Sequence, residues 1–421
     1  MTKKHTGLLA LLLALAVLLC LPGCSLFEES REPAQEMPPV KEEPEVAEPA
    51  EASRILITLN LPWEQTARIR DGDFWTEVSF TGGRITVRAK EPIGGLYLIW
   101  GSYPGEWTLE TDSGSIKCGL NGFLHEYIPL DGTNERLSIL LPEQETTLCD
   151  LFCYGVGQTP ENVQQWLPPC EAADLLVFST HADDELVFFG GMIPYYSAVC
   201  GRKVQLVYMT TNYYAEDYNH VRIHEALNGL WTAGARYYPV TNMQEDRLFR
   251  ELDEAEEYYG EESFRAFQVE QIRRFKPLVI VAQDPDGEYG HGAHQLTVKA
   301  LQWAVYAAAD RTQYPELAEK YDVWNTPKTY LHLYGPEEER TVLDYETSSD
   351  RLGGKSPYEI ACLAFREHLS QQQWGFEVYS FDSEYDSHSF GLYRSLIGSD
   401  EMKNDLFEHM ETIMDRDSRQ S

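Results

Sequence analysis

Two short stretches of this chain place metal-ligating and proton-carrying side chains close together. In "LLVFSTHADDELVFFGG" (175–191), His181, Asp183, Asp184 and Glu185 follow a run of apolar residues. In "QDPDGEYGHGAHQLT" (283–297), Asp284, Tyr289, His291 and His294 follow a second such run, "PLVIVA". Two histidines and one carboxylate with open coordination positions suit a catalytic zinc. A second carboxylate beside them can take the proton of a metal-bound water, whose pKa falls toward about 7. That chemistry is hydrolysis of an amide or ester. Acidic residues in the first turn of a helix also complement its dipole, so Asp183, Asp184 and Glu185 alone would read as a helix start. The joint occurrence of H-x-D-D-E and H-x-x-H after two strands points to a site. A competing pair, His220 and His224 in "HVRIHEA", shares a helical face; with no third ligand in view, it reads as surface.

These clusters must be positioned by the elements around them. From about Ala172, apolar runs "ADLLVFST", "KVQLVYMTT" and "KPLVIVAQ" alternate with helical stretches "VRIHEALNGLWTAGA" and "HQLTVKALQWAVYAAAD". The alternation predicts an α/β fold with a parallel sheet and helices on both faces. Ligands of such sheets bind beyond the C-terminal ends of the strands, where both clusters sit. Residues 54–155 read differently. "RILITLNL", "RITVRAK", "GLYLIWG", "WTLET" and "RLSILL" are short, β-rich and separated by turn residues, the pattern of an all-β sandwich or jelly roll.

The N-terminus reads as a targeting segment. Lys3, Lys4 and His5 precede the apolar run "GLLALLLALAVLLCL", and the run ends in "LPGC". This resembles a bacterial lipobox, which implies lipidation of Cys24, a signal peptide over 1–24 and a membrane-anchored lipoprotein outside the cytoplasm, at the cell surface or in the periplasm. Residues 25–53 are rich in Glu and Pro and predict an extended acidic linker. Export makes disulfides feasible among Cys118, Cys149, Cys153, Cys170, Cys200 and Cys362. If 146–155 is a strand, Cys149 and Cys153 lie about 13 Å apart and cannot pair; free buried thiols are the alternative to bridging throughout.

The chain has 421 residues with 43% hydrophobic and 12% aromatic content, enough for two or three cored domains. Its formal charge of −34 excludes nucleic acid as a partner, because phosphates require Lys and Arg.

"STHADDE" with "DPDGEYGHGAH" resembles the LmbE/PIG-L family of zinc-dependent N-acetylglucosamine deacetylases. Its motifs are H-P-D-D-E after the first strand, an R-x-x-E helix, matched by Arg222 and Glu225, and G-H-x-x-H. "EHLSQ" and "FGLYRS" resemble later family segments, so the likeness runs over about 170–410 within a domain at 170–421. The resemblance implies a Rossmann-like catalytic domain in which His181, Asp184 and His294 hold Zn2+ or another divalent metal. It makes Asp183 the general base, His291 with Tyr289 the support for the tetrahedral intermediate, and Arg222 a substrate contact; Glu185 falls outside the ligand set. Ala182 replaces the family's proline, and Ala293 replaces a carboxylate that could orient a neighbouring histidine. "IRDGDFWTEVSF" with "EPIGGLYLIWG" resembles the galactose-binding-like (discoidin-type) jelly rolls, which implies carbohydrate binding by 54–155. The alternative is a structural spacer with Trp63, Trp75, Trp100 and Trp107 in its core. Together these imply an exported amidase that removes acetyl groups from N-acetylated amino sugars in a glycan or glycoconjugate by attack of metal-activated water. Two other functions fit the residues: a glycan-binding lipoprotein with an inactive deacetylase-like domain, and an amidase acting on a different amide, such as a thiol-sugar conjugate or an N-acylated antibiotic.

Overall fold

The computed structural model describes residues 50–211 and 219–410, without the side chains of Asn219 and His220. The leader with Cys24 and nearly all of the acidic linker lie outside the described residues. The linker's last residues are paired: the Ala52 N–H donates to Gln158 O at 2.8 Å, and the Gly155 N–H donates to Ser53 O at 3.0 Å. Backbone pairing, which composition does not reveal, brings these residues into the folded part.

The first sheet is antiparallel throughout: β1 (Ile57–Leu59), β2 (Val78–Thr81), β3 (Arg84–Trp100), β4 (Trp107–Thr111), β5 (Gly114–Cys118), β6 (His125–Leu140) and β7 (Glu145–Tyr154). A short helix, Trp63–Arg68, follows β1, so this half is not purely β. "RITVRAK" and "GLYLIWG", which read as two strands, are the two ends of β3. Its register against β6 shifts between Arg88 and Gly95, so its first half pairs with β1 and its second with β7. The turn-like "EPIGG" between them is the bend itself. A Cβ on Gly94 would stand 2.3 Å from Gly155 O, and one on Gly95 would stand 2.3 Å from the Tyr127 hydroxyl. Both glycines are there for close approach. Trp100 and Trp107 are buried, each donating its indole N–H to Glu126 Oε2 at 3.1 and 2.8 Å. Trp63 and Trp75 are exposed and lie outside the core expected for them.

The second sheet contains β8 (Leu175–Ser179), β9 (Val204–Tyr208), β10 (Val240–Thr241), β11 (Val279–Ala282), β12 (Lys328–His332), β13 (Thr341–Val342) and β14 (Ser389–Ser395). Their order is β10-β9-β8-β11-β12-β14-β13. The first five are parallel, and β14 and β13 add an antiparallel edge, so the sheet is mixed. Alternate residues feed separate cores. Leu175, Val177, Leu206 and Val281 face one, while Leu176, Phe178, Val207 and Ile280 face the other with residues of the helices Glu261–Phe275 and Gly292–Ala307. Burial on both faces explains why these strands read as unbroken apolar runs. Chain order runs outward from β8 to β10 and then resumes on the other side at β11, so the crevice between β8 and β11 is the topological switch point.

The helix Asn219–Thr232 joins the two sheets. His224, expected at the surface, is fully buried and its Nδ1 lies 2.8 Å from His125 Nε2. His125 Nδ1 lies 3.0 Å from the Tyr97 hydroxyl. An i,i+4 histidine pair on an exposed helix would read the same way in sequence; the first sheet, packed over this turn, makes the difference. All six cysteines from Cys118 to Cys362 are free thiols. Replacing His125 by Leu removes its buried contacts to His224 and to the Tyr97 hydroxyl, at a cost of about 1–3 kcal/mol. Thermal unfolding should show a lower Tm for His125→Leu, partly restored when His224→Leu is added.

Candidate metal centre and active site

The strand β8 ends at Ser179, and the chain turns at once. Asp183 carries φ 121° and ψ −31°, a conformation that costs about 1–3 kcal/mol. Its N–H donates to Glu185 Oε2 at 2.9 Å, which helps to hold that backbone. The turn brings Asp184 back under His181, whose backbone N–H donates to Asp184 Oδ2 at 2.8 Å. After β11, the loop 283–291 leads into Gly292–Ala307 and delivers His294 in its first turn. A Cβ on Gly292 would stand 2.1 Å from Glu251 O, so glycine allows the segment after Asp246 to close over this helix start.

Three donor atoms meet here. His181 Nδ1 is 3.0 Å from Asp184 Oδ2 and 3.0 Å from His294 Nε2, and His294 Nε2 is 3.2 Å from Asp184 Oδ2. Ligands about 2.0–2.1 Å from a tetrahedral zinc are separated by about 3.3 Å, so this triangle fits one. His291 stands beside the triangle: ring nitrogens of His181, His291 and His294 all lie within 4.8 Å of one another. All four residues are buried. The surroundings favour positive charge. Against the opposing push of burial, Asp184 and Glu288 raise the His294 imidazole to about 10. Also against burial, His294 and His181 hold the Asp184 carboxyl well below the usual range. Bare imidazoles and carboxylates at these distances are what a divalent cation compensates.

The neighbours orient this set. Glu288 Oε2 lies 2.6 Å from His294 Nδ1, and Glu288 Oε1 lies 3.1 Å from His332 Nδ1. The orienting carboxylate that Ala293 cannot provide thus comes from Glu288, which sequence reading passed over in "DGEYG"; its place six residues before His294 was the available signal. Gln283 Nε2 donates to Asp184 Oδ2 at 2.8 Å. Asp246, also unforeseen, sits 3.4 Å from the otherwise unpartnered His181 Nε2 and accepts from Arg222 at 2.6 Å. Nothing in "NMQEDRLFR" announces that role.

Asp183 is beside the triangle and not part of it. Burial, offset by Arg222 at 3.9 Å, raises its carboxyl well above the usual range. Arg222 also donates to Ala182 O at 3.0 Å, so most of its donors serve the protein, although it lines the cleft. His291 caps its helix, Nδ1 accepting the Ala293 N–H at 3.1 Å. That leaves Nε2 as the protonated nitrogen, and burial, with His294 and His181 close by, pushes the ring strongly toward the neutral form. Tyr289 stands edge-on to His291 with ring centres 5.7 Å apart. Asp284 is turned to the loop, accepting the Asp286 N–H. Glu185 is buried and does not join the donor triangle. The cleft above these groups measures about 690 Å³ and is also lined by Leu248, Gln371, Gln373, Trp374 and Phe376.

Residues 176–305 match the family model described as PIG-L: GlcNAc-PI de-N-acetylase, which supports a deacetylase domain of this family in the second half of the chain. The mycothiol S-conjugate amidase of Streptomyces coelicolor is 36% identical over 91 residues, 22% of this chain and 30% of that protein. The 1D-myo-inositol 2-acetamido-2-deoxy-alpha-D-glucopyranoside deacetylase of Rhodococcus erythropolis is 28% identical over 191 residues, 38% of this chain and 60% of that protein. The chain therefore spans under two thirds of either relative. Among solved structures, the N,N'-diacetylchitobiose deacetylase of Pyrococcus horikoshii aligns at 20% identity with a TM-score of 0.39, over 49% of this chain and 76% of that one.

Removing a ligand should abolish tight metal binding, and removing the orienting carboxylate should weaken it. In a chelator-competition titration with zinc, Asp184→Ala and His294→Ala should fail to retain one equivalent, and Glu288→Gln should lose about 10–100-fold in affinity.

Proposed function

We propose that this protein is a zinc-dependent amidase that removes the acetyl group from an N-acetylated amino sugar of the N-acetylglucosamine type. The observation that carries this reading is the triangle of His181, Asp184 and His294, with a separate buried carboxylate, Asp183, beside it. Zinc held by the triangle would act as a Lewis acid toward the acetamide carbonyl and lower the pKa of a water toward about 7.

The chain's own residues supply the rest. Asp183 takes the water's proton, standing beside the triangle without joining it. Arg222 and Glu185 fix Asp183 from two sides. His291, neutral and protonated at Nε2, donates to the carbonyl oxygen as negative charge builds there. Tyr289, whose hydroxyl burial keeps protonated, stands beside it as a second donor. The departing amine collects the proton from Asp183.

Two wider readings belong to this proposal. The lipobox-like "LPGC" and the apolar run before it support an extracytoplasmic protein anchored through Cys24. The exposed Trp63 and Trp75 support glycan recruitment by the galactose-binding-like half.

The test is acetate release from N-acetylglucosamine oligomers by the zinc-loaded protein. Release should occur, and Asp183→Ala should lower it by about 100-fold or more while retaining metal. Metal binding with no acetate from any acetylated sugar would instead point to a different amide. Absence of both would leave a glycan-binding lipoprotein.

A further inference from the structure

The cleft is larger than the chemistry needs. An acetylated hexosamine has about 15 non-hydrogen atoms, which fill roughly 250–300 Å³ at interior packing density, against about 690 Å³ here. The surplus is walled by Leu248, Gln371, Gln373, Trp374 and Phe376. Trp374 is 65% exposed, yet its backbone is anchored. It ends a single 3-10 turn, Gln372–Trp374. The segment before it is tied to the central helix by Glu225, which accepts the Ser370 N–H at 2.9 Å and the Ser370 hydroxyl at 2.6 Å. Gln371 and Gln373 donate their amide N–H groups to Ser370 at 2.9 and 3.1 Å, which fixes both side chains. Phe376 continues inward to Tyr289, ring centres 6.0 Å apart. The result is a flat indole on an anchored rim, flanked by side-chain amides and leading to the reacting centre.

The charge of the lining is equally informative. Among the described residues that line it, the one Arg or Lys is Arg222, bound to Asp246 and close to Asp183. Of the two helix starts beside the cleft, the one at Gly292 is capped by the His291 side chain, and the one at Asp184 opens on the carboxylates of Asp183, Asp184 and Glu185. A phosphate is best held by free guanidinium, ammonium or helix N–H donors, and the described lining gives it no unpaired Arg or Lys above a floor rich in carboxylates. A sugar needs a flat apolar surface for its C–H face and amides for its hydroxyls.

We infer that the outer cleft is a subsite for a neutral sugar stacked on Trp374, so that the substrate is an acetylated hexosamine joined to a second uncharged sugar and not to a phosphate-bearing group. This rests on the deacetylase reading and adds to it a substrate class and a specificity-determining residue.

The experiment compares kcat/KM for acetate release by the zinc-loaded full chain on three substrates: N-acetylglucosamine, its β-1,4-linked dimer, and N-acetylglucosamine linked to inositol phosphate. The dimer should exceed both others by about tenfold or more, the range of a single well-formed pocket contact. Trp374→Ala should lower the dimer's kcat/KM, mainly through KM, about tenfold more than the monosaccharide's, and Trp374→Phe should retain most of the preference. Equal use of monomer and dimer, preference for the phosphorylated substrate, or equal losses on both sugars in Trp374→Ala would overturn the subsite while leaving the deacetylase intact. No acetate from any of the three would overturn the deacetylase reading and the subsite with it.

Discussion

The second half of this protein is arranged around the burial of carboxylates at the C-terminal ends of the parallel strands of a mixed sheet. Asp183, Asp184, Glu185, Asp246 and Glu288 are all nearly inaccessible to water, and unpaired charge in such a place is costly. The protein compensates one group at a time. Asp184 is surrounded by His181, His294 and Gln283, and Asp246 receives Arg222. Glu288 bridges His294 and His332, and Glu185 is tied to the Asp183 backbone. Between these groups stand three donor atoms about 3 Å apart, a space that a divalent cation fits.

The same constraint explains why the helix Asn219–Thr232 sits where it does. Successive residues of a helix point about 100° apart, so Arg222 and Glu225 share a face while His224 turns away from Arg222. One element thereby places Arg222 beside Asp183, ties down the rim that carries Trp374, and meets the first sheet through His125. The antiparallel half is thus more than an appendage: its hydrophobic core is continuous with the core under the site, and its buried histidine fixes the rotation of the helix that supplies Arg222.

Local strain and local substitution are accommodated in the same way. The unusual backbone at Asp183 separates its carboxyl from that of Asp184, so that adjacent residues take different places around the donor triangle. The absence of a carboxylate at Ala293 is made good by Glu288, reached through the Gly287–Gly290 loop instead of along the helix. A function that needs one carboxylate near His294 Nδ1 does not specify which position provides it.

Sequence by itself determined the elements and the reactive types. Unbroken apolar runs marked β8, β9 and β11 because strands buried on both faces need no alternation. The H-x-D-D-E and H-x-x-H spacings marked His181, Asp183, Asp184, His291 and His294 because strand ends and first helical turns place such residues together. Tertiary structure decided what depends on approach between distant segments. Asp246 and Glu288 became partners of His181 and His294 only when their loops folded over the switch point. His224 became interior only when the first sheet covered it, and "RITVRAK" and "GLYLIWG" became one strand only because β1, β6 and β7 continued the pairing through the bend. Trp374 lay in a stretch with no periodicity to mark it, and its place on the cleft rim was set by Glu225, 149 residues earlier. Local chemistry is written in neighbouring residues; the partner that completes it is chosen by packing across the chain.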